Sequence, residues 1–194
     1  MRVLFVCGGT GGHINPALAV AGYLRNKQPD AEILFAGNPS GMEASLVPKA
    51  GFAFAPIKVK GFQRQLSWHN LKNNLMAVAY LTTSGRRSRR ILREFGPDVV
   101  MGTGGYVSGP LVRQAAKLGI PTLTHEQNAF PGVTTKLLSR YVDKVMLAVP
   151  EAKKYLPSDT RFVITGNPVR EAFFTADRQG VRKKMGLEGK ICVL

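Results

Sequence analysis

The chain has 194 residues, with 27 Lys and Arg against 12 Asp and Glu, a net charge of +15, and 44% hydrophobic content. Those proportions exclude disorder throughout, and the length accommodates one well-cored domain plus part of another. No apolar run approaches the roughly 20 residues that span a bilayer; the longest, Leu75 to Leu81, is about a third of that.

Met1 to Cys7 is apolar but runs too soon into glycine for a signal peptide. Arg2–Cys7 instead reads as a buried first strand. Ile14, Ala17, Leu18, Ala21 and Leu24 then recur at helical spacing, with Pro16 expected in the first turn of that helix. Glu32–Gly37 and Phe54–Val59 read as the second and third strands. Trp68 to about Glu94 reads as a long helix, or two, with Ser67 as N-cap. Asp98–Met101 is the fourth strand, Gly109–Leu118 a helix, Pro121–His125 the fifth strand, Thr134–Tyr141 a helix and Lys144–Val149 the sixth strand. Arg161–Thr165 adds a short strand before Gly166-Asn167-Pro168 breaks the pattern. Glu171–Leu187 reads as helical, and Lys190–Leu194 as the start of a further strand. Alternation of strands and helices predicts an α/β fold, a doubly wound Rossmann-like parallel sheet. Residues 1–165 are expected to form one domain. Residues 166–194 are expected to cross into a second domain that continues past Leu194. Cys7 and Cys192 lie in strand-like runs at opposite ends, which argues against a disulfide and suits a reducing compartment.

The positive charge is unevenly placed. Ten Lys or Arg residues and no acid lie between Ala44 and Arg93, and Arg86, Arg87, Arg89, Arg90 and Arg93 form a dense cluster. Such a patch suits nucleic acid, anionic headgroups or a phosphorylated substrate, or is simply a solvated helix face.

A glycine turn occurs twice. Gly9-Thr10-Gly11-Gly12-His13-Ile14 reappears as Gly102-Thr103-Gly104-Gly105-Tyr106-Val107, each copy between a strand and a helix. Glycine permits the sharp turn and brings backbone N–H groups to a helix N-terminus, where a phosphate or diphosphate is favoured. Neither copy is a dinucleotide fingerprint, because Ile14 and Val107 stand where a third glycine is required, and neither carries the Gly-Lys-Ser/Thr of a P-loop. Each turn alone also reads as a plain strand-to-helix connection. In a sheet of order 3-2-1-4-5-6, however, the two would face each other across the switch-point crevice. A third loop, Thr124-His125-Glu126-Gln127-Asn128 running into Pro131-Gly132, leaves the fifth strand towards the same crevice. His125 and Glu126 there serve either a ligand or the loop itself.

Gly8 to Ile14 with Pro16-Ala17-Leu18-Ala19 resembles the first signature of the MurG family of bacterial peptidoglycan glycosyltransferases. Gly102 to Pro110 resembles its second, His125-Glu126-Gln127-Asn128 with Pro131-Gly132 its third, and Gly166-Asn167-Pro168-Val169-Arg170 its crossing between domains. Four motifs in order cover the chain. Thr135 departs from the family, which usually has Asn before the Lys.

The resemblance implies the amino-terminal domain of a GT-B glycosyltransferase. Its donor would be UDP-N-acetylglucosamine and its acceptor an undecaprenyl-diphosphate-linked muramoyl-pentapeptide. The family's donor-contacting positions match Thr10, Gly11, Gly12, Asn128 and Arg170. Gly104, Gly105, Tyr106 and His125 would form the acceptor side. Inverting transfer requires a base for the attacking 4-hydroxyl; His13 is the first candidate, with positioning of the sugar as its alternative role, and Glu126 is the reserve. No metal-ligand spacing occurs, so neither a metal nor a cofactor is expected. Trp68, Lys72 and Leu75 beside Arg86, Arg87, Arg89 and Arg90 have the composition of a contact with an anionic membrane, expected at the cytoplasmic face of the bacterial plasma membrane. His69 is expected at the surface. The rival readings are another GT-B glycolipid glycosyltransferase and a basic nucleic-acid-binding module. The second is disfavoured because the arginines lack interleaved aromatics.

Overall fold

The computed structural model describes residues 1–59 and 85–191. Among these described residues, seven strands form one all-parallel sheet of order β3-β2-β1-β4-β5-β6-β7. They are β1 (Arg2–Val6), β2 (Glu32–Gly37), β3 (Ala53–Pro56), β4 (Val99–Gly102), β5 (Thr122–Glu126), β6 (Lys144–Leu147) and β7 (Phe162–Ile164). Helices α1 (Gly11–Lys27), α2 (Glu43–Lys49), α4 (Ser108–Lys117) and α5 (Val133–Leu138) connect them, with α3 helical over residues 85–95. A 3₁₀ helix spans Pro150–Tyr155, and α6 (Ala172–Thr175) and α7 (Arg178–Lys184) close the described chain.

Strand β1 is central because both its faces are apolar, as a parallel strand covered on both sides requires. Val3, Phe5 and Cys7 face Ile14, Ala17, Leu18 and Ala21 of α1, and Phe5 stacks on Phe35 of β2 at 5.1 Å between ring centroids. Leu4 and Val6 face the opposite way, onto Val100, Leu111, Val112 and Ala115. Alanines at positions 17 and 21 let α1 approach the sheet closely. The winding reverses between β1 and β4, which sets the loops leaving their carboxyl ends side by side at the switch point.

Several boundaries differ from expectation for identifiable reasons. Helix α1 starts at Gly11, so Pro16 lies in its second turn and leaves the carbonyl of exposed Gly12 without its helical donor. Strand β3 stops at Pro56 because its neighbour β2 ends at Gly37, the partner of Pro56 in the register. Ile57 and Val59 are nonetheless buried in the core. Glu171–Leu187 is not one helix. Ala176 is extended, and the Asp177 carboxylate accepts from the amides of Gln179 and Gly180 at 3.1 and 3.0 Å, starting α7 afresh. Lys190 and Ile191 carry no strand, and the rest of that expected strand lies outside the described residues. Most of the expected helix from Trp68 to Glu94 also lies outside them, including Ser67, Trp68, His69, Lys72 and Leu75. Helix α2 and the 3₁₀ helix were not anticipated. Among the described residues no helix is long and apolar enough to cross a membrane.

Candidate functional site

The two glycine turns meet. Gly104 and Gly105 have φ of 103° and 78°, in the left-handed region that a side chain disfavours. A Cβ on Gly105 would overlap the Gly8 carbonyl, and one on Gly104 would lie 2.5 Å from His13 Nδ1. The contact therefore requires glycine sterically as well as conformationally. It is tied by the Thr103 hydroxyl donating to the His13 carbonyl at 2.7 Å and the Ser108 hydroxyl to the Val6 carbonyl at 2.8 Å.

Thr10 is the extended N-cap of α1 and makes no side-chain cap bond. The His13 and Ile14 amides donate to its carbonyl at 3.1 and 3.2 Å. The Gly11 and Gly12 amides precede that ladder, and no acidic side chain occupies the first turn. These two donors at a positive helix end suit an anion such as a diphosphate. Tyr106 is half-exposed beside Gly9, and its hydroxyl accepts from Asn38 Nδ2 at 3.1 Å.

His13 reaches across to the other turn. Its Nδ1 lies 3.1 Å from the Thr103 carbonyl oxygen and 3.3 Å from Gln127 Oε1. A carbonyl oxygen only accepts, so Nδ1 carries the proton and Nε2 of the neutral ring keeps its lone pair. That is the form a general base needs.

His125 is buried, and its Nε2 donates to the Gly166 carbonyl at 3.0 Å. Burial pushes its pKa below the ordinary histidine value, against weaker opposing effects from the Gly166 bond and the Glu126 charge. Glu126 is also buried. Its Oε1 accepts from the Asn128 backbone and side-chain amides at 3.1 and 2.9 Å, and its Oε2 from the Gly132 amide at 2.9 Å. The carboxylate thus gathers its own loop, and both oxygens are engaged there. Asn128 and Arg170 are exposed, the Arg170 guanidinium lying 5.7 Å from the Phe173 ring. Arg86, Arg87, Arg89 and Arg90 are exposed on α3, while Ser88 and Leu92 turn inward; Arg90 pairs with Glu94 at 2.7 Å. Among the described residues no group of acids, histidines and cysteines could hold a metal.

Glu43, the first residue of α2, escaped the sequence reading. It is fully buried and accepts from the Asn38 amide at 2.9 Å and the Gly9 amide at 3.3 Å, bracing the first glycine turn from beneath. Cβ atoms at Gly8, Gly37 or Gly41 would collide with its side chain. Its charge adds to burial in pushing the Cys7 thiol upward. A signal was present: Glu43 is the one acid between Glu32 and Glu94, in a segment carrying Gly37 and Gly41. Gln127 likewise lies within the third motif, which by itself assigns it no role.

The Glycosyltransferase family 28 N-terminal domain matches residues 3–147. The chain is 48% identical over 187 residues to a UDP-N-acetylglucosamine--N-acetylmuramyl-(pentapeptide) pyrophosphoryl-undecaprenol N-acetylglucosamine transferase of Acetivibrio thermocellus, covering 96% of this chain and 50% of that protein. A relative of the same name from Ruminiclostridium cellulolyticum is 48% identical over 191 residues, covering 98% and 51% respectively. The chain therefore spans about half the length of the curated relatives it matches. The crystal structure of Acinetobacter baumannii MurG superposes with a TM-score of 0.70 at 31% identity, over 89% of this chain and 48% of that one.

Proposed function

Because this chain belongs to glycosyltransferase family 28, matching its N-terminal domain over residues 3–147, we propose that it is the acceptor-binding half of an inverting N-acetylglucosaminyltransferase. The enzyme moves N-acetylglucosamine from UDP-N-acetylglucosamine to the muramoyl 4-hydroxyl of an undecaprenyl-diphosphate-linked muramoyl-pentapeptide. Residues 1–165 form this half, and residues 166–194 lead into the half that holds most of the donor.

The observation that carries the reading is the seat of His13. Its ring lies against Gly104 at the contact of the two glycine turns, with the proton on Nδ1 and a bare Nε2. Nε2 takes the proton of the sugar 4-hydroxyl as that oxygen attacks the anomeric carbon. The bond from that carbon to the diphosphate breaks on the opposite face, and UDP departs with the electron pair. The Gly11 and Gly12 amides, with Thr10, Asn128 and Arg170, serve the donor. Gly104, Gly105, Tyr106 and His125 shape the acceptor side. Glu126, with both oxygens committed to loop amides, is better suited to ordering that loop than to proton transfer.

A lipid-linked acceptor also gives the basic segment a use. The exposed arginines of α3, with Trp68, Lys72 and Leu75, attach the protein peripherally to the cytoplasmic face of the plasma membrane. The discriminating experiment for catalysis is His13→Ala in the two-domain enzyme. We expect kcat to fall by roughly 10²–10⁴-fold, with a smaller change in acceptor KM. A near-normal kcat removes His13 from the role of base.

A further inference from the structure

The candidate base stands at one end of a hydrogen-bonded chain that begins 41 residues beyond the third loop's histidine, at the Gly166 carbonyl. We infer that Gln127 is a positioning residue that holds His13 in the tautomer with its proton on Nδ1, and that His125, anchored on Gly166, dictates which way the Gln127 amide faces. This rests on His13 being the base.

The polarity of the chain follows link by link. The Gly166 carbonyl only accepts, so the proton of neutral His125 is on Nε2, 3.0 Å away, and His125 Nδ1 is bare. Burial of the ring, which is 1% exposed, favours that neutral form. A bare, buried Nδ1 requires a donor, and Gln127 Nε2 supplies one at 3.1 Å. The second proton of the same NH₂ group goes to the Thr103 carbonyl at 2.8 Å. With both amide protons committed, Gln127 Oε1 is the atom left to face His13 Nδ1, at 3.3 Å. The Thr103 carbonyl faces that nitrogen too, at 3.1 Å. Two acceptors at Nδ1 place the proton there and leave Nε2 free to take one.

Flipping the amide would set Oε1 against both the bare nitrogen of His125 and the Thr103 carbonyl, two acceptor–acceptor contacts in a partly buried site. It would also turn the NH₂ group towards His13 Nδ1, where it opposes the proton that the Thr103 carbonyl accepts and weakens the preference for the Nδ1 tautomer. Other side chains do not meet the requirement. Glutamate accepts at His13 but cannot donate to Thr103 or His125, asparagine is one carbon too short, and leucine matches the size without either function. The glycines bordering the ring cannot orient it, since Gly104 and Gly105 have no side chains. Gly166 itself has φ of 71° and lies in the segment that follows β7, so the chain joins the base to the crossing between domains.

The tautomer can be read without any activity. The chain has three histidines, at 13, 69 and 125, so long-range ¹H–¹⁵N correlation spectra of the imidazole nitrogens can be assigned with single His→Gln variants. In the wild-type chain above the titration range, His13 should show a protonated Nδ1 and a bare Nε2. Gln127→Leu removes one of the two acceptors at Nδ1 and the donor that holds the other, the Thr103 carbonyl, so it should move His13 towards a mixture of tautomers, whereas the nearly isosteric Gln127→Glu should retain the protonated Nδ1. In the two-domain enzyme, Gln127→Leu should lower kcat on the order of 10–100-fold with little change in donor KM, and Gln127→Glu should recover part of the loss. A wild-type His13 protonated at Nε2, or a tautomer unchanged by Gln127→Leu, overturns the inference. A tautomer shift with no loss of kcat leaves Gln127 as the positioning residue and overturns His13 as base.

Discussion

One substitution made at two glycines should give opposite signs. At Gly105, alanine must adopt φ near 78°, which costs about 1–2 kcal/mol for a residue with a Cβ. Its methyl group would overlap the Gly8 carbonyl, a backbone atom with no rotamer by which to escape. Forcing such an overlap adds about 1–3 kcal/mol as the two turns move apart. The sum is a destabilisation of about 2–5 kcal/mol, a large share of the roughly 5–15 kcal/mol that holds a domain together. At Gly22, inside α1, an added Cβ meets nothing within 4 Å. Alanine there should stabilise by about 0.5–1 kcal/mol, because helical glycine loses more backbone entropy on folding. Urea denaturation of Gly105→Ala, Gly22→Ala and the parent chain, analysed with a common m-value, measures both effects. If Gly105→Ala unfolds within about 0.5 kcal/mol of the parent, the two turns are not in the contact described, given the typical scatter of neutral surface changes.

Glu43→Gln keeps the shape of the buried carboxylate but turns an NH₂ group towards one of the two amides it now accepts from. A loss of about 1–3 kcal/mol in chemical denaturation is expected; a gain would mean that burying the charge costs more than its two bonds return. Protonation should also unfold the chain through His125. The folded state holds this ring neutral with a lowered pKa, while the unfolded state takes up a proton below its ordinary value of about 6.5, so stability should fall as pH drops from about 7 to 5. The slope of melting temperature against pH should flatten in His125→Asn, and an unchanged slope would refute the assignment. For the membrane contact, reversing the charge of Arg86, Arg87, Arg89 and Arg90 should abolish co-sedimentation with anionic vesicles at moderate salt, each basic residue contributing about 1 kcal/mol. Trp68→Ala should weaken binding at every salt concentration, and a wild-type chain that stays in the supernatant with anionic lipid refutes the contact.

The parallel, doubly covered character of the sheet was legible in the residues because such a sheet demands largely apolar strands. Arg2–Val6, Glu32–Gly37 and Val99–Gly102 show that pattern, and glycine turns mark where two of them end. The repeated turn also indicated where its two copies would lie, since in a doubly wound sheet strands one and four are neighbours at the reversal of winding. Helix α2 was missed because seven residues containing Pro48 give too short a period to detect. The single helix expected over Glu171–Leu187 ignored Asp177, whose capping role shows only when the preceding residue is seen to be extended. What the tertiary structure alone decided is the wiring of the site. Glu43 meets Gly9 across 34 residues, and His13 meets Thr103 and Gln127 across 90 and 114. Local propensity carries no information over such separations. Hydrogen bonds of that range depend on strand register and on which way each loop leaves the sheet, so an acid to which the sequence assigned nothing becomes a buried brace, and a glutamine without a motif role becomes the partner of a candidate base.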